Sequence, residues 1–363
     1  MSQAARPSLR RRGEDWLQAV WRTRGLASAL LTPFAWLYGC LSARRLRRQA
    51  RHAWQAPVPV VVVGNILVGG TGKTPVTAAI CQHLRAQGWH PGVLSRGYGI
   101  AAGTTARLSD TDTSGAYLGD EPALLHAATG VPVAVHPRRA QAAQALLAAH
   151  PETDVLIADD GLQHRALARD VEIIVQDARG TGNGRLLPAG PLREPATRLR
   201  QAHWLITHLA PGEPLPAQAT LTDPARCLTL RLAPERLVHL ASDQSRTWAQ
   251  WFAEHGQSPC SAAAGIGQPE RFFGMLRQAG LRLAATLSAP DHQAPGTAAL
   301  RRLPPGPILI TAKDGIKYTA PIDPRLWVVY PSAQFSDPHW FTALENDISR
   351  IAETRPHKQG NRH

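Results

Sequence analysis

Cysteine, lysine and charge are all scarce in this 363-residue chain. Its four cysteines (Cys40, Cys81, Cys227, Cys260) are scattered and form no CxxC pair. That spacing argues against a structural zinc site and a disulfide framework, and it fits a reducing compartment. Charged residues make up only 18% and apolar residues 44%, which excludes a mostly disordered chain. Glycine and proline, 30 of each, follow no period, so nothing is collagen-like. No repeat of roughly 20–50 residues recurs, which argues against a solenoid. Four lysines stand against 36 arginines. The length suggests about two domains, each able to bury a core.

What charge there is lies mainly at one end. The formal net charge is +13, yet residues 1–51 hold eleven arginines, no lysine and only two acids, Glu14 and Asp15. The remaining body is nearly balanced. A basic arm can meet nucleic acid or an anionic membrane surface. Within it, Gly25–Ser42 runs for 18 residues without a charge. Arg22 and Arg24 precede this stretch, and Arg44, Arg45, Arg47, Arg48 and Arg51 follow it. Trp16, Trp21, Trp36, Tyr38 and Trp54 lie in or near its flanks, as interfacial aromatics do. Its length is at the lower edge for a spanning helix, and Pro33 interrupts it. No convincing AxA cleavage site precedes the basic run, which speaks against a signal peptide. A core helix with a solvated basic end is the competing reading. The preferred one is a helix lying in or dipping into the cytoplasmic leaflet, held by apolar burial and by arginine attraction to anionic lipid.

The body opens with Pro59–Val63, a valine run read as a buried parallel strand. Gly64-Asn65-Ile66-Leu67-Val68-Gly69-Gly70-Thr71-Gly72-Lys73-Thr74-Pro75 follows, and then a helix through Gln87. Strand, glycine turn and helix are the context of a phosphate-binding P-loop. Glycines let backbone N–H groups turn inward around phosphate oxygens, and the helix N-terminus adds its dipole. The candidate nucleotide-binding residues are Leu67, Val68, Gly69, Gly70, Thr71, Gly72, Lys73 and Thr74. Lys73 would reach the β- and γ-phosphates, and the Thr74 hydroxyl would ligate Mg²⁺. The usual pattern GxxxxGK[ST] has glycine where this chain has Leu67, so Gly69, Gly70 and Gly72 are expected to do the turning. In so arginine-rich a chain, a lysine here suggests a need for a compact ammonium that a forked guanidinium would not meet.

A second apolar strand, Asp154–Ala158, ends in Asp159-Asp160-Gly161. Carboxylates at a strand end form the usual Mg²⁺ side of a P-loop enzyme, at the sheet edge where ligands bind. An Asp-Asp-Gly turn is also common in any α/β protein. In Ser95-Arg96-Gly97-Tyr98-Gly99, Arg96 reads equally well as a phosphate holder and as a solvated loop residue. Gly119-Asp120-Glu121-Pro122 opens a helix, where acids ordinarily cap the first turn. Position alone does not make Asp120 a catalyst.

Taken together, GNILVGGTGKTP (64–75), SRGYG (95–99), GDEPALL (119–125), DDGLQH (159–164), RLLPAGPLREP (185–195), GIGQPERFF (265–273), PDH (290–292) and KDGIK (313–317) resemble the tetraacyldisaccharide 4'-kinase (lipid A 4'-kinase) family of Gram-negative bacteria. The pieces run in family order and span most of the chain. The resemblance implies a phosphotransferase with an alcohol acceptor. ATP·Mg²⁺ would donate its γ-phosphoryl group to the 4'-hydroxyl of an acylated glucosamine disaccharide 1-phosphate, giving lipid IVA at the cytoplasmic face of the inner membrane. It implies Lys73 and Thr74 as the P-loop pair. Thr74, Asp159 and Asp160 would serve the metal, with Asp160 its closer carboxylate. Asp120 and His292 would be the catalytic pair, Asp120 as general base and His292 orienting or tuning it. For His292, spacing alone carries little weight. The partners implied are the lipid substrate and a membrane surface, with no nucleic acid and no obligate protein partner.

Two other classes are weaker. A GTPase-like switch wants [NT]KxD after a strand, whereas Lys313 and Asp314 are adjacent. A nucleic-acid-dependent ATPase wants basic and aromatic residues spread over the body. The element order predicts an α/β fold: a P-loop NTPase-like parallel sheet with helices on both faces, a smaller second α/β domain and an N-terminal membrane-associated helix. Strands are expected near 59–63, 92–95, 131–135, 154–158, 171–176 and 203–207. A linking ribbon is expected from Cys227–Leu232 and Leu237–Leu240. Beyond it come strands near 262–266, 282–287, 308–311 and 327–329 and a last helix over 338–353. The expected division is 1–55 for the membrane-associating segment, 56–224 for the kinase domain, 225–355 for the second domain and 356–363 for the tail. The active site is then expected in the cleft between the two α/β units.

Overall fold

The computed structural model describes residues 9–97, 103, 105–216, 223–291, 293–318 and 322–355, with side chains described from Trp16 onward. Tyr98, Gly99 and His292 of the motifs above lie outside the described residues. Three helices come first: α1 (Leu9–Arg22), α2 (Leu26–Leu30) and α3 (Thr32–Arg51). Strands and helices then alternate: β1 (Val60–Gly64), α4 (Lys73–Ala86), β2 (Pro91–Ser95), β3 (Arg107–Leu108), α5 (Gly115–Leu118), α6 (Asp120–Thr129), β4 (Val133–Val135), α7 (Arg139–Ala149), β5 (Val155–Asp159), β6 (Val171–Asp177) and β7 (Trp204–His208). The rest comprises β8 (Cys227–His239), β9 (Ser245–Thr247), α8 (Trp248–His255), β10 (Cys260–Ala264), α9 (Pro269–Gln278), β11 (Leu283–Ser288), α10 (Thr297–Leu300), β12 (Ile308–Thr311), α11 (Ala312–Gly315), β13 (Leu326–Phe335) and α12 (Trp340–Glu353).

The strands of the described residues join one sheet in the order β11-β10-β12-β13-β8-β7-β6-β1-β5-β2-β4-β3, with β9 on the side of β8. Most pairings are parallel, and alternation on β1 shows why the sheet is covered on both faces. Val61 and Val63 pack with Ile80 of α4 and Ile348 of α12. Val60 and Val62 pack on the other face with Ala142 and Leu146 of α7. Each valine side chain removed from water contributes about 1.5–3 kcal/mol, so a strand read from its valines alone is held at the centre.

The ribbon joining the two ends of the sheet differs from the expectation. It is not two short strands but the single β8, antiparallel to a long β13. The start of β8 also pairs in parallel with β7, from Leu205 opposite Cys227 to His208 opposite Leu230. The reason is Pro234 and Pro331, which look like strand breaks. They sit opposite each other beside a register shift, where neither missing N–H interrupts the rest of the ladder. The two-residue edge strand β3 carried no sequence signal.

The N-terminal stretch also differs. It is not one helix over 25–42: α2 ends at Leu30, and α3 then runs through the arginines to Arg51. Pro33 lies in the first turn of α3, where a missing N–H costs nothing and marks a new start. No helix of the described residues is long and apolar enough to cross a membrane. Leu26, Leu30, Phe34, Leu37 and Leu41, spaced three or four residues apart, are all exposed, as is Trp36 at 71%. Ser28, Ala35 and Leu46 are buried.

Candidate active site

Sheet register brings the first two motifs together. Val63, the last valine before the loop, pairs with Asp159 at the end of β5. Asp159 is buried and accepts a hydrogen bond from the Thr77 hydroxyl, one turn into α4, at 2.9 Å. Burial, then the charge of Glu121, push its carboxyl up to about 7, with Lys73 opposing. Asp160 behaves oppositely. Burial works against its charge, but Lys73, Arg193 and Arg139 outweigh burial and hold the carboxyl below its usual range. Its Oδ1 lies 3.4 Å from Lys73 Nζ and 3.7 Å from Arg193 Nη1. Its backbone is in the left-handed region (φ 49°), uncommon outside glycine and often a mark of a functional turn.

The loop itself is braced from within. Asn65 Nδ2 donates to Gly69 O and to Thr71 Oγ1, both at 3.2 Å. Gly69 and Gly72 adopt positive φ, as the turning glycines should; Gly70 does not. At Gly72 glycine is required twice over. Its φ is +88°, and a Cβ there would meet His208 Nδ1 at 2.3 Å. Burial, then Arg271, lower the pKa of that imidazole to about 4, so it stays neutral.

Leu67 and Val68 are placed differently from the loop's glycines. The Leu67 side chain is buried in the core with Leu192 and Leu199. Its backbone bridges to Leu192, and the Val68 N–H donates to Pro191 O at 2.9 Å. The Val68 amide is therefore committed to the protein here, whereas among the described residues the amides of the following glycines face no such backbone partner in the bridge to Leu192. Leu67 in place of glycine makes sense as a core residue. Gly69, Gly70, Thr71 and Gly72 lead into Lys73 and Thr74, the first residues of α4.

The RLLPAGPLREP segment joins the loop to the N-terminal helices. Arg193 N donates to Ile66 O at 2.7 Å. Buried Glu194 accepts from Gln163 Nε2 of the DDGLQH turn at 2.8 Å, and that same nitrogen donates to Asn65 O at 3.0 Å. On the other side Ser28 Oγ donates to Ala189 O at 2.7 Å and Trp21 Nε1 to Pro188 O at 2.9 Å. Arg139 lies beneath the carboxylates, buried, donating to Asp159 O at 3.1 Å. Burial, then Arg139 and Arg96, lower the pKa of His164 to about 4, which puts the SRGYG arginine in the same electrostatic neighbourhood.

Asp120 begins α6, and its Oδ2 lies 3.9 Å from Lys317 Nζ. Glu121 lies 3.7 Å from Lys313 Nζ. The GDEP and KDGIK motifs thus face each other. Sequence reasoning quoted Asn65, Gln163, Arg193, Glu194, Lys313 and Lys317 within motifs but gave them no role. Thr77 and His208 lay outside every motif. The available signal was the scarcity of lysine: the three lysines among the described residues all stand here.

A family model described as Tetraacyldisaccharide-1-P 4'-kinase (LpxK) matches residues 27–349. The chain belongs to that family. Tetraacyldisaccharide 4'-kinase of Bordetella parapertussis is 50% identical over 333 residues, 90% of this chain and 95% of that protein. The relative of the same name from Bordetella petrii is 47% identical over 342 residues, 93% and 96% of the two chains. The crystal structure of LpxK from Aquifex aeolicus in complex with ATP aligns with a TM-score of 0.70 at 24% identity, over 90% of this chain and 99% of that one, and shares the fold.

Among the described residues no group of three metal-binding side chains stands together. Mg²⁺ at a nucleotide does not need one, since one or two carboxylates, phosphate oxygens and water complete its shell. Asp160, held ionised and partly exposed beside the loop lysine, fits that requirement, and Thr74 at the start of α4 is the residue that would add a hydroxyl ligand.

Proposed function

We propose that this chain is the kinase that transfers the γ-phosphoryl group of ATP to the 4'-hydroxyl of tetraacyldisaccharide 1-phosphate, giving lipid IVA in lipid A biosynthesis. The observation that carries the reading is the Lys73–Asp160 pair, held beside a glycine loop by the Val63–Asp159 register in a chain of this family. The amides of Gly69 to Thr74 and the α4 dipole hold the phosphates, and Lys73 neutralises charge on the transferring group. Thr74 and Asp160 hold Mg²⁺, which when bound offsets the charge of the phosphate oxygens. Asp159, kept buried against Thr77, supports Asp160 rather than sharing the metal equally.

Asp120 takes the proton of the sugar hydroxyl. Such a hydroxyl is a poor nucleophile, and a carboxylate within hydrogen-bond reach both aligns and activates it. His292 orients Asp120. Read as an N-terminal segment (1–55), a kinase domain (56–224), a second domain (225–355) and a tail (356–363), the chain would receive the acceptor sugar in the cleft between the two α/β units, where GDEP faces KDGIK.

The exposed apolar stripe of α2 and α3, with the arginines beyond it, rests on the anionic cytoplasmic surface of the inner membrane. This supports an acyl-chain substrate, since the same helices, through Ser28 and Tyr38, hydrogen-bond the segment that buttresses the loop. The test is transfer of labelled phosphate from ATP to the disaccharide lipid, with and without Mg²⁺. A purified protein that hydrolyses ATP but leaves the lipid unlabelled overturns the reading.

A further inference from the structure

The KDGIK segment is built more firmly than a surface turn needs. Asp314 is fully buried. Its Oδ2 accepts from Gly265 N at 2.9 Å and from Thr311 Oγ1 at 2.7 Å, and Thr311 Oγ1 in turn accepts from Asp314 N at 3.1 Å. These bonds tie the end of β12 to the end of β10. The remaining carboxylate oxygen, Oδ1, lies 3.4 Å from Lys317 Nζ. Gly265 is required for this packing, since a Cβ there would lie 1.7 Å from Gln293 O and 2.9 Å from Asp314 Oδ1.

That buried carboxylate aims a lysine across the cleft. Lys317 Nζ stands between Asp314 Oδ1 and, 3.9 Å away, Asp120 Oδ2. Lys313, four residues earlier, bridges in the same way, 3.7 Å from Glu121 and 3.8 Å from Asp291. Asp291 immediately precedes His292. The two lysines therefore connect GDEP to the two parts of the chain that flank it. An exposed ion pair adds little stability, and this chain uses arginine almost everywhere else. A single compact ammonium suits a position between two carboxylates, where a planar fork would impose its own geometry.

We propose that Lys317 is a positioning residue for phosphoryl transfer: anchored by Asp314, it fixes the Asp120 carboxylate in the orientation that receives the sugar proton. The proposal rests on the reading of Asp120 as base. Lys317 acts on the reaction through Asp120.

The test is a double-mutant cycle on the full chain with ATP and the disaccharide lipid, using Lys317→Met, Lys317→Arg, Asp120→Asn and the Asp120→Asn/Lys317→Met pair. Misplacing a reacting group by about 1 Å costs on the order of 10²-fold, so Lys317→Met should lower kcat by about 10- to 100-fold. KM for ATP and the melting temperature should stay unchanged, and Lys317→Arg should recover part of the loss. In the Asp120→Asn background Lys317→Met should cost nothing further. Wild-type kcat in Lys317→Met, or losses that multiply in the pair, overturns the proposal. If Lys317→Met melts early, the cycle is repeated with Lys317→Gln, and an equal loss in both Asp120 backgrounds likewise overturns it. Wild-type kcat in Asp120→Asn alone is a different result: it removes the base assignment itself.

Discussion

Lys73 Nζ stands 3.4 Å from Asp160 Oδ1 and, with Arg193 and Arg139, outweighs burial to keep that carboxyl below its usual range. Removing the lysine takes away phosphate positioning and leaves Asp160 with Arg193 as its nearest cation. Lys73→Ala should lose nearly all lipid phosphorylation while the melting temperature changes little, as read by a labelled-ATP assay beside a thermal scan.

The two neighbouring aspartates should separate by metal dependence. Asp160→Asn should lower kcat by about 10²-fold or more, the scale of a lost charge-stabilising contact, and should raise the Mg²⁺ concentration needed for half-maximal rate. Asp159→Asn should do so less, because Asp159 is buried and hydrogen-bonded to Thr77. Equal Mg²⁺ titrations for the two variants would reverse the assignment. Chelating Mg²⁺ should stop turnover by the unmodified protein.

Asp120→Ala should lower kcat by about 10²–10⁴-fold with little change in nucleotide affinity, the range expected of a general base. Fluorescent-nucleotide binding and steady-state kinetics on the same preparation check both halves of that statement.

Gly72 and His208 should be coupled. Gly72→Ala places a Cβ 2.3 Å from His208 Nδ1 on a backbone that also requires a positive φ. The conformational part alone costs about 1–2 kcal/mol. Adding His208→Ala should recover the steric part and leave the conformational part, as measured by urea unfolding of the two single variants and the pair.

His208 also makes stability pH-dependent. Burial first, then Arg271, lower its pKa to about 4 in the fold, whereas the unfolded value is about 6.5. Between those values the unfolded chain binds more protons. The contribution of the neutral imidazole is thus full above about pH 6.5 and is lost as pH falls toward 4. At about 1.4 kcal/mol per pH unit this amounts to about 3 kcal/mol. Unfolding midpoints for the unmodified chain and His208→Gln, compared from pH 7 to 4.5, should show a shallower acid slope in the variant.

Trp36 and Leu41 are exposed at 71% and 61%, so replacing both with serine should leave the melting temperature unchanged. The same change should weaken binding to anionic phosphatidylglycerol vesicles by about 100-fold or more, the value of two apolar side chains at about 1.5–3 kcal/mol each. Sedimentation with vesicles reads this directly, and unchanged binding would remove the stripe from the membrane contact.

The central strands were legible because parallel strands buried on both faces leave unbroken apolar runs, as in Val60–Val63 and Val155–Ala158. The loop was legible because glycines between a valine strand and a Lys-Thr helix start form a strong local pattern, and Gly69 and Gly72 do adopt positive φ. The β8–β13 ribbon was misread because a proline breaks a strand only when its missing N–H faces a partner, and that depends on which residue lies opposite. The hydrogen bond from Val68 N to Pro191 O was out of reach of the sequence for a related reason: the two residues lie more than a hundred positions apart.

Local chemistry, then, was settled by the order of residues: which segments are apolar on both faces, where glycine permits a turn, and which scarce lysines and paired acids stand at element ends. Encounters between distant segments were settled only by the folded chain. Register set Asp159 beside Val63, packing pressed His208 onto Gly72, and the packing of α11 against α6 brought Lys317 to Asp120. The physical reason is range. Backbone preference and periodicity act over a few neighbouring residues, whereas hydrogen bonding, burial and charge act through space and are blind to sequence separation.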